Sequence, residues 1–193
     1  ILFAGSTINN SDNILFWTPG VGWSLPAFFK NSGTPSTQRN HWIQGGVIVD
    51  DNVIDRDEGI LVKRIASSPT NITVAGEVSA NRQAVVLEVI GTNTYSLVGG
   101  MNVVDQMIGD SGLTNVLQAG STINNSDNIL FWTPGIGWSL PAFFKNAGTP
   151  STQRFHWIQG GVIVDNTLQL KAGQGYLILK RSSSGVWERE SPL

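Results

Sequence analysis

The chain of 193 residues contains no cysteine. Disulfides, thiol catalysis and thiolate metal sites are excluded together. Charge is also sparse: 13% of residues are charged and the formal net charge is −2. That balance leaves no basic footprint, so no nucleic-acid partner is expected. No run of 18 apolar residues occurs, which argues against a membrane-spanning helix. Helical periodicity is nearly missing as well. What remains is a chain rich in Gly, Asn, Ser and Thr with 7 tryptophans, a composition typical of exported β-proteins.

The dominant feature is internal identity. Residues 4–50 recur at 119–165 with a constant offset of 115, and only Val21/Ile136, Ser32/Ala147 and Asn40/Phe155 differ among the 47 positions. Self-similarity of this kind is read before any local pattern. A core alone would not need it, because cores accept apolar swaps of similar volume at modest cost. The polar loops are repeated too, so either the duplication is recent or both copies present one surface.

Short apolar runs bounded by Gly, Pro, Asn and Asp predict strands. In the first copy they fall at 14–17, 23–30 and 41–44, with a Thr18-Pro19-Gly20 turn and a break at Gly45-Gly46. Further strands are expected at 59–64, 71–78, 84–90, 95–100, 167–170, 175–181 and 186–188, besides the second copies at 129–132, 138–144 and 155–159. The expected fold is all-β: two tandem antiparallel β-sandwich or barrel-like repeat domains, with at most a short helix near 103–108. The boundaries read as 1–78, an N-terminally incomplete first domain, and 79–193. The second block is preceded by a strand and the short helix over 94–115, whereas the first has only Ile1-Leu2-Phe3 before it. A copy without that opening strand carries an unfilled edge. Upstream residues, the strands expected over 71–90 or a neighbouring chain could fill it. Because Ile1 is not Met, the chain reads as a mature or trimmed product.

Asp57-Glu58-Gly59-Ile60-Leu61-Val62-Lys63-Arg64 and Pro69-Thr70-Asn71-Ile72-Thr73-Val74-Ala75-Gly76-Glu77-Val78 resemble the middle of an uncharacterised group of exported proteins from Verrucomicrobia and related bacteria. So do Tyr95-Ser96-Leu97-Val98, Ser111-Gly112-Leu113, Asp127-Asn128-Ile129-Leu130-Phe131-Trp132 and Gly173-Gln174-Gly175-Tyr176-Leu177-Ile178. The resemblance covers essentially the whole chain and implies export and a related unit present twice, with no known activity. This chain departs from the group in the near-identity of its blocks. It also has Phe28-Phe29-Lys30 where the group tends to have a tyrosine run.

Catalytic residues are not expected. His41 and His156 occupy one repeat position, and Ser24/His41/Asp50 or Ser139/His156/Asp165 could form a triad only on paper, without a nucleophile elbow. The acidic run Asp50, Asp51, Asp55, Asp57 and Glu58 is largely replaced in the second copy and reads as a solvated turn. The loops at 9–13 and 124–128 read as Asx turns, so no metal or cofactor is expected. Aromatics are the better candidates: Trp23, Phe28, Phe29 and Trp42 recur as Trp138, Phe143, Phe144 and Trp157. Those left at the surface would stack on sugar rings or anchor a partner. Ile1, Leu2, Phe3, Asn40 and Phe155 are the candidates for self-association. The expected role is a secreted, non-catalytic structural protein forming a head-to-tail homopolymer, such as a filament, sheath or surface layer with strand exchange between neighbours. A bivalent polysaccharide-binding adhesion module is the alternative.

Overall fold

The computed structural model describes residues 2–54, 58–65, 83–99 and 104–189. These residues are all-β with antiparallel strand ladders, besides two isolated parallel bridges, Gly5↔Lys30 and Gly120↔Lys145, and their only helical elements are short 3-10 turns. Among them no helix is long and apolar enough to cross a membrane. They divide into two compact units, one built on 2–18, 23–54 and 60–65, the other on 19–22, 58–59, 83–99 and 104–189. The boundary expected at 78/79 and the strand expected over 71–78 lie outside the described residues.

In unit 1 the sheet comprises β1 (Asn13–Thr18), β2 (Gly22–Trp23), β3 (Ala27–Lys30), β4 (His41–Gln44), β5 (Val47–Ile48) and β6 (Ile60–Lys63). Its order is β2-β1-β3-β4-β5, with β6 paired to β1. The single strand expected over 23–30 is split, because Leu25-Pro26 breaks the ladder between β2 and β3.

Unit 2 contains β7 (Gln83–Leu87), β8 (Thr94–Val98), β9 (Gln106–Met107), β10 (Asn128–Thr133), β11 (Gly137–Trp138), β12 (Ala142–Lys145) and β13 (His156–Gln159). β14 (Val162–Ile163), β15 (Gln169–Leu170), β16 (Tyr176–Lys180) and β17 (Gly185–Arg189) complete it. Its sheet runs β14-β13-β12-β10-β16-β8, with β11 on β10, and β15-β9 and β17-β7 form two separate ribbons.

The helix expected near 103–108 is absent over its described part. Gln106-Met107 is a strand paired with Gln169-Leu170, followed by a single 3-10 turn at Ile108–Asp110. Six residues are too few to offset helix nucleation, and a strand partner supplies their hydrogen bonds instead.

The registers extend the duplication beyond its visible letters. Phe16 faces Ile60 across β1/β6 as Phe131 faces Tyr176 across β10/β16. The difference lies on the far side of those closing strands. β16 is covered by β8 over five residue pairs, Tyr176↔Val98 to Lys180↔Thr94. Among the described residues β6 pairs with β1 alone, and β7 pairs with β17 instead.

Two buried polar centres hold each block together. Asp127 Oδ2 accepts from the Gln118 N–H at 2.8 Å and from Lys180 Nζ at 2.6 Å, and Oδ1 accepts from the Arg181 N–H at 2.7 Å. Asp12 repeats this: Oδ2 accepts from the Phe3 N–H at 2.8 Å and Arg64 Nε at 3.1 Å, and Oδ1 from the Ile65 N–H at 2.9 Å. Each carboxylate thus pins the block's entry to its closing strand. Burial works against the Asp12 charge, but the backbone N–H groups of Phe3 and Ile65 and the Arg64 guanidinium outweigh it and hold the carboxyl below its ordinary value. The second centre is a buried lysine. Lys30 Nζ donates to Thr34 O at 2.6 Å and Gln38 Oε1 at 3.1 Å, and Lys145 donates to Thr149 O and Gln153 Oε1 at 2.6 and 3.0 Å. Gln38 and Gln153 in turn donate to Gly46 O and Gly161 O, tying the loop to the β4–β5 and β13–β14 turns.

One substituted position is strained. Asn40 has φ 64° and Phe155 has φ 65°. Asn tolerates the left-handed region, but a bulky residue there is an outlier, and Phe155 is 71% exposed. Phe155→Asn should therefore raise stability by about 1 kcal/mol, measured by urea unfolding of the unassociated chain; a loss would show that the ring packs favourably at home. The Asp12 centre has its own pH signature. A carboxyl whose folded value is lowered stabilises the fold above its ordinary value of 3.8, and that contribution is lost as pH falls through the lowered value. Asp12→Asn should cost about 3 kcal/mol at pH 7 and clearly less at pH 3; equal losses at both would contradict the assignment.

Candidate functional site

The side chains with chemical potential are largely engaged in structure. His41 Nδ1 meets Asp50 Oδ2 at 2.5 Å, while Asp50 Oδ1 accepts the Trp42 N–H at 2.7 Å. The same arrangement recurs for His156, Asp165 and Trp157. The His41 hydrogen bond, followed by the Trp42 N–H, holds the Asp50 carboxyl below its ordinary value. The serine that would complete a triad is elsewhere. Ser24 Oγ donates to Leu25 O at 2.9 Å and accepts from the Phe16 N–H at 3.0 Å and Gln44 Nε2 at 3.2 Å. Gln44 is three residues along β4 from His41, roughly 10 Å at strand rise. The pairs fix β4 to the segment after β5, and Ser24 hydrogen-bonds elsewhere.

The Asn-rich loops behave as turns. Asn10 Oδ1 accepts the Thr7 N–H and its Nδ2 donates to Ser6 Oγ, each at 2.8 Å, and Asn125 repeats both bonds. Asp55 and Asp57 of the acidic run lie outside the described residues. Among the described residues no group of three or more His, Asp or Glu could hold a metal ion.

The candidate aromatics separate into three environments. Trp23 and Trp138 are half-buried and stack edge-on against Trp17 and Trp132, at 4.9 Å and 80° and at 5.2 Å and 70°. Phe28 and Phe143 are half-buried. Phe29 and Phe144 pack edge-on against Trp42 and Trp157. Trp157, expected as a surface aromatic, is instead in the core at 1% exposure. Its sequence twin Trp42 is half-buried. Of the self-association candidates, Phe3, Asn40 and Phe155 are exposed, Leu2 is half-buried, and Ile1 lies outside the described residues.

The contrast between Trp42 and Trp157 extends over much of each sheet face, although Ile14 and Ala27 are buried like their twins Ile129 and Ala142. In unit 2, Ile129, Phe131, Trp157, Val164, Tyr176 and Ile178 are buried. They share one core cluster with Val85, Leu87 and Trp187 of the β7–β17 ribbon and with Ile108, Leu113 and Leu117. Trp187 Nε1 donates to Ser111 O at 3.0 Å, which ties the ribbon to that segment. In unit 1 the equivalent Phe16, Trp42, Val49, Ile60 and Val62 are only half-buried. Here Ile14, Phe16, Ala27, Trp42, Val49 and Ile54 line an apolar cleft of about 160 Å³, with Asp50 and Asn52 on its polar side. Among the described residues the covering elements exist once, in unit 2, and the face that calls for them exists twice. Repetition exposed the candidate face in the sequence, but its cover could not be read there. The covering residues come from 83–117 and 185–189, outside the repeated block.

Trp157→Ala should cost about 3–5 kcal/mol as a fully buried truncation. Trp42→Ala, in the same local sequence, should cost roughly half of that or less, because its ring is already partly hydrated. Urea unfolding of the two variants checks this, and equal costs would contradict the open face. No family model, curated protein or solved structure matches the chain.

Proposed function

We propose that the protein is a non-catalytic, exported structural subunit that self-associates head to tail, with the open face of unit 1 receiving a neighbouring copy. The observation that carries this reading is the apolar cleft around Trp42, whose twin around Trp157 is filled by the chain itself. A sheet with one apolar face must bury it against something, and a contiguous exposed apolar surface marks an interaction site. The engaged state of Ser24, His41 and Asp50 favours a structural over a catalytic role. Sedimentation velocity and light scattering from micromolar to millimolar concentration should show species that keep growing without a closed end state. Ile54→Glu, which charges a half-exposed position of the cleft, should weaken the growth at least tenfold. A wild-type chain that stays monomeric throughout contradicts the reading.

A second reading rests on the edge-on tryptophan pairs, Trp17/Trp23 and Trp132/Trp138, presented alike by both copies. They suit stacking against polysaccharide, with avidity from two linked sites. Under that reading Trp23→Ala and Trp138→Ala abolish polysaccharide pull-down and leave association unchanged.

A further inference from the structure

We infer that Phe155 of one copy inserts into the unit 1 cleft of the next. This deepens the self-association reading and rests on it. The two blocks differ at three positions, and only Asn40/Phe155 replaces a polar side chain with a large apolar one. That change places a large apolar ring 71% exposed, on a backbone with φ 65° that disfavours it. Strain persisting at such a residue points to a use for it. Phe155 makes no ring contact among the described residues.

The cleft has the complementary asymmetry, since it is open in unit 1 and filled in unit 2. Its volume of about 160 Å³ matches the apolar cavity of about 150 Å³ that accommodates a benzene ring. Charge agrees as well. Arg154, exposed beside the ring, would meet a rim bearing exposed Asp50 and Asp51, and the second copy has Asn166 in place of the latter. A neighbour cannot supply its own covering ribbon without baring its own unit 2, because that cover occurs once among the described residues. It has to offer something already on its surface, and Phe155 is that feature. A knob on unit 2 and a socket on unit 1 make the contact heterologous. Repeated from copy to copy, such a contact does not close, and the result is an open-ended polymer.

The test uses two full-length variants. Phe155→Asn removes the knob and installs the residue that already occupies the same φ in the first copy. Ile54→Glu spoils the socket and leaves the knob. Each alone should associate at least tenfold more weakly than wild type, yet their 1:1 mixture should form heterodimers that grow no further. Replacing Phe155 with the photoreactive p-benzoylphenylalanine should crosslink to residues 42–54 of another copy. Phe155→Asn associating like wild type, no heterodimer in the mixture, or a crosslink elsewhere would overturn the inference while leaving self-association intact. A wild-type chain that never associates would overturn both.

Discussion

An antiparallel sheet with one apolar face has to bury that face, and this constraint organises the molecule. The chain builds the same face twice, from β1, β3, β4 and β6 and from β10, β12, β13 and β16. In unit 2 the face is satisfied internally: Trp187 and Leu87 of the β7–β17 ribbon and Ile108, Leu113 and Leu117 of the 108–117 segment share one core cluster with Phe131 and Trp157. In unit 1 the matching Phe16, Trp42, Val49, Ile60 and Val62 remain half-hydrated. At about 25 cal/mol for each Å² of apolar surface removed from water, covering such a face is a substantial source of association energy.

Why the polar loops are as constant as the core has a physical answer in the same structure. Asp12, Lys30, Asn13 and their twins are buried and hydrogen-bond backbone groups of the loops, while Asn10 and Gln38 and their twins fix the same loops nearer the surface. Removing one partner from such a centre leaves the other unsatisfied. His41 and Asp50 belong to this set: each pair with its backbone N–H is a clamp, repeated because the block needs it. Loop identity between the copies is thus accounted for without a shared ligand.

Much of this was legible in the sequence, but unevenly. Pro-Gly and Gly-Gly punctuation around apolar runs revealed β1, β4, β6, β10, β13 and β16 because strand and turn chemistry are local. The β6/β16 equivalence was hidden, since Ile60-Leu61-Val62-Lys63 and Tyr176-Leu177-Ile178-Leu179 share little besides apolar character; only register against β1 and β10 aligns them. Trp157 reads as a surface candidate in the sequence, but it belongs to a core cluster with Trp187 and Ile108, which lie outside the repeated block. Phe155 stands out as the bulkiest change between the blocks, yet its left-handed backbone is visible only in the φ angle.

The central claim is that, among the described residues, one sheet face is present twice and covered once. Hydroxyl-radical footprinting read by mass spectrometry tests it most directly, because the peptides carrying Trp42 and Trp157 differ in sequence and can be quantified in one sample. In dilute, unassociated protein Trp42 should be oxidised at least tenfold faster than Trp157, and its rate should fall toward that of Trp157 as concentration rises. Equal, slow oxidation of both tryptophans in dilute protein would contradict the account.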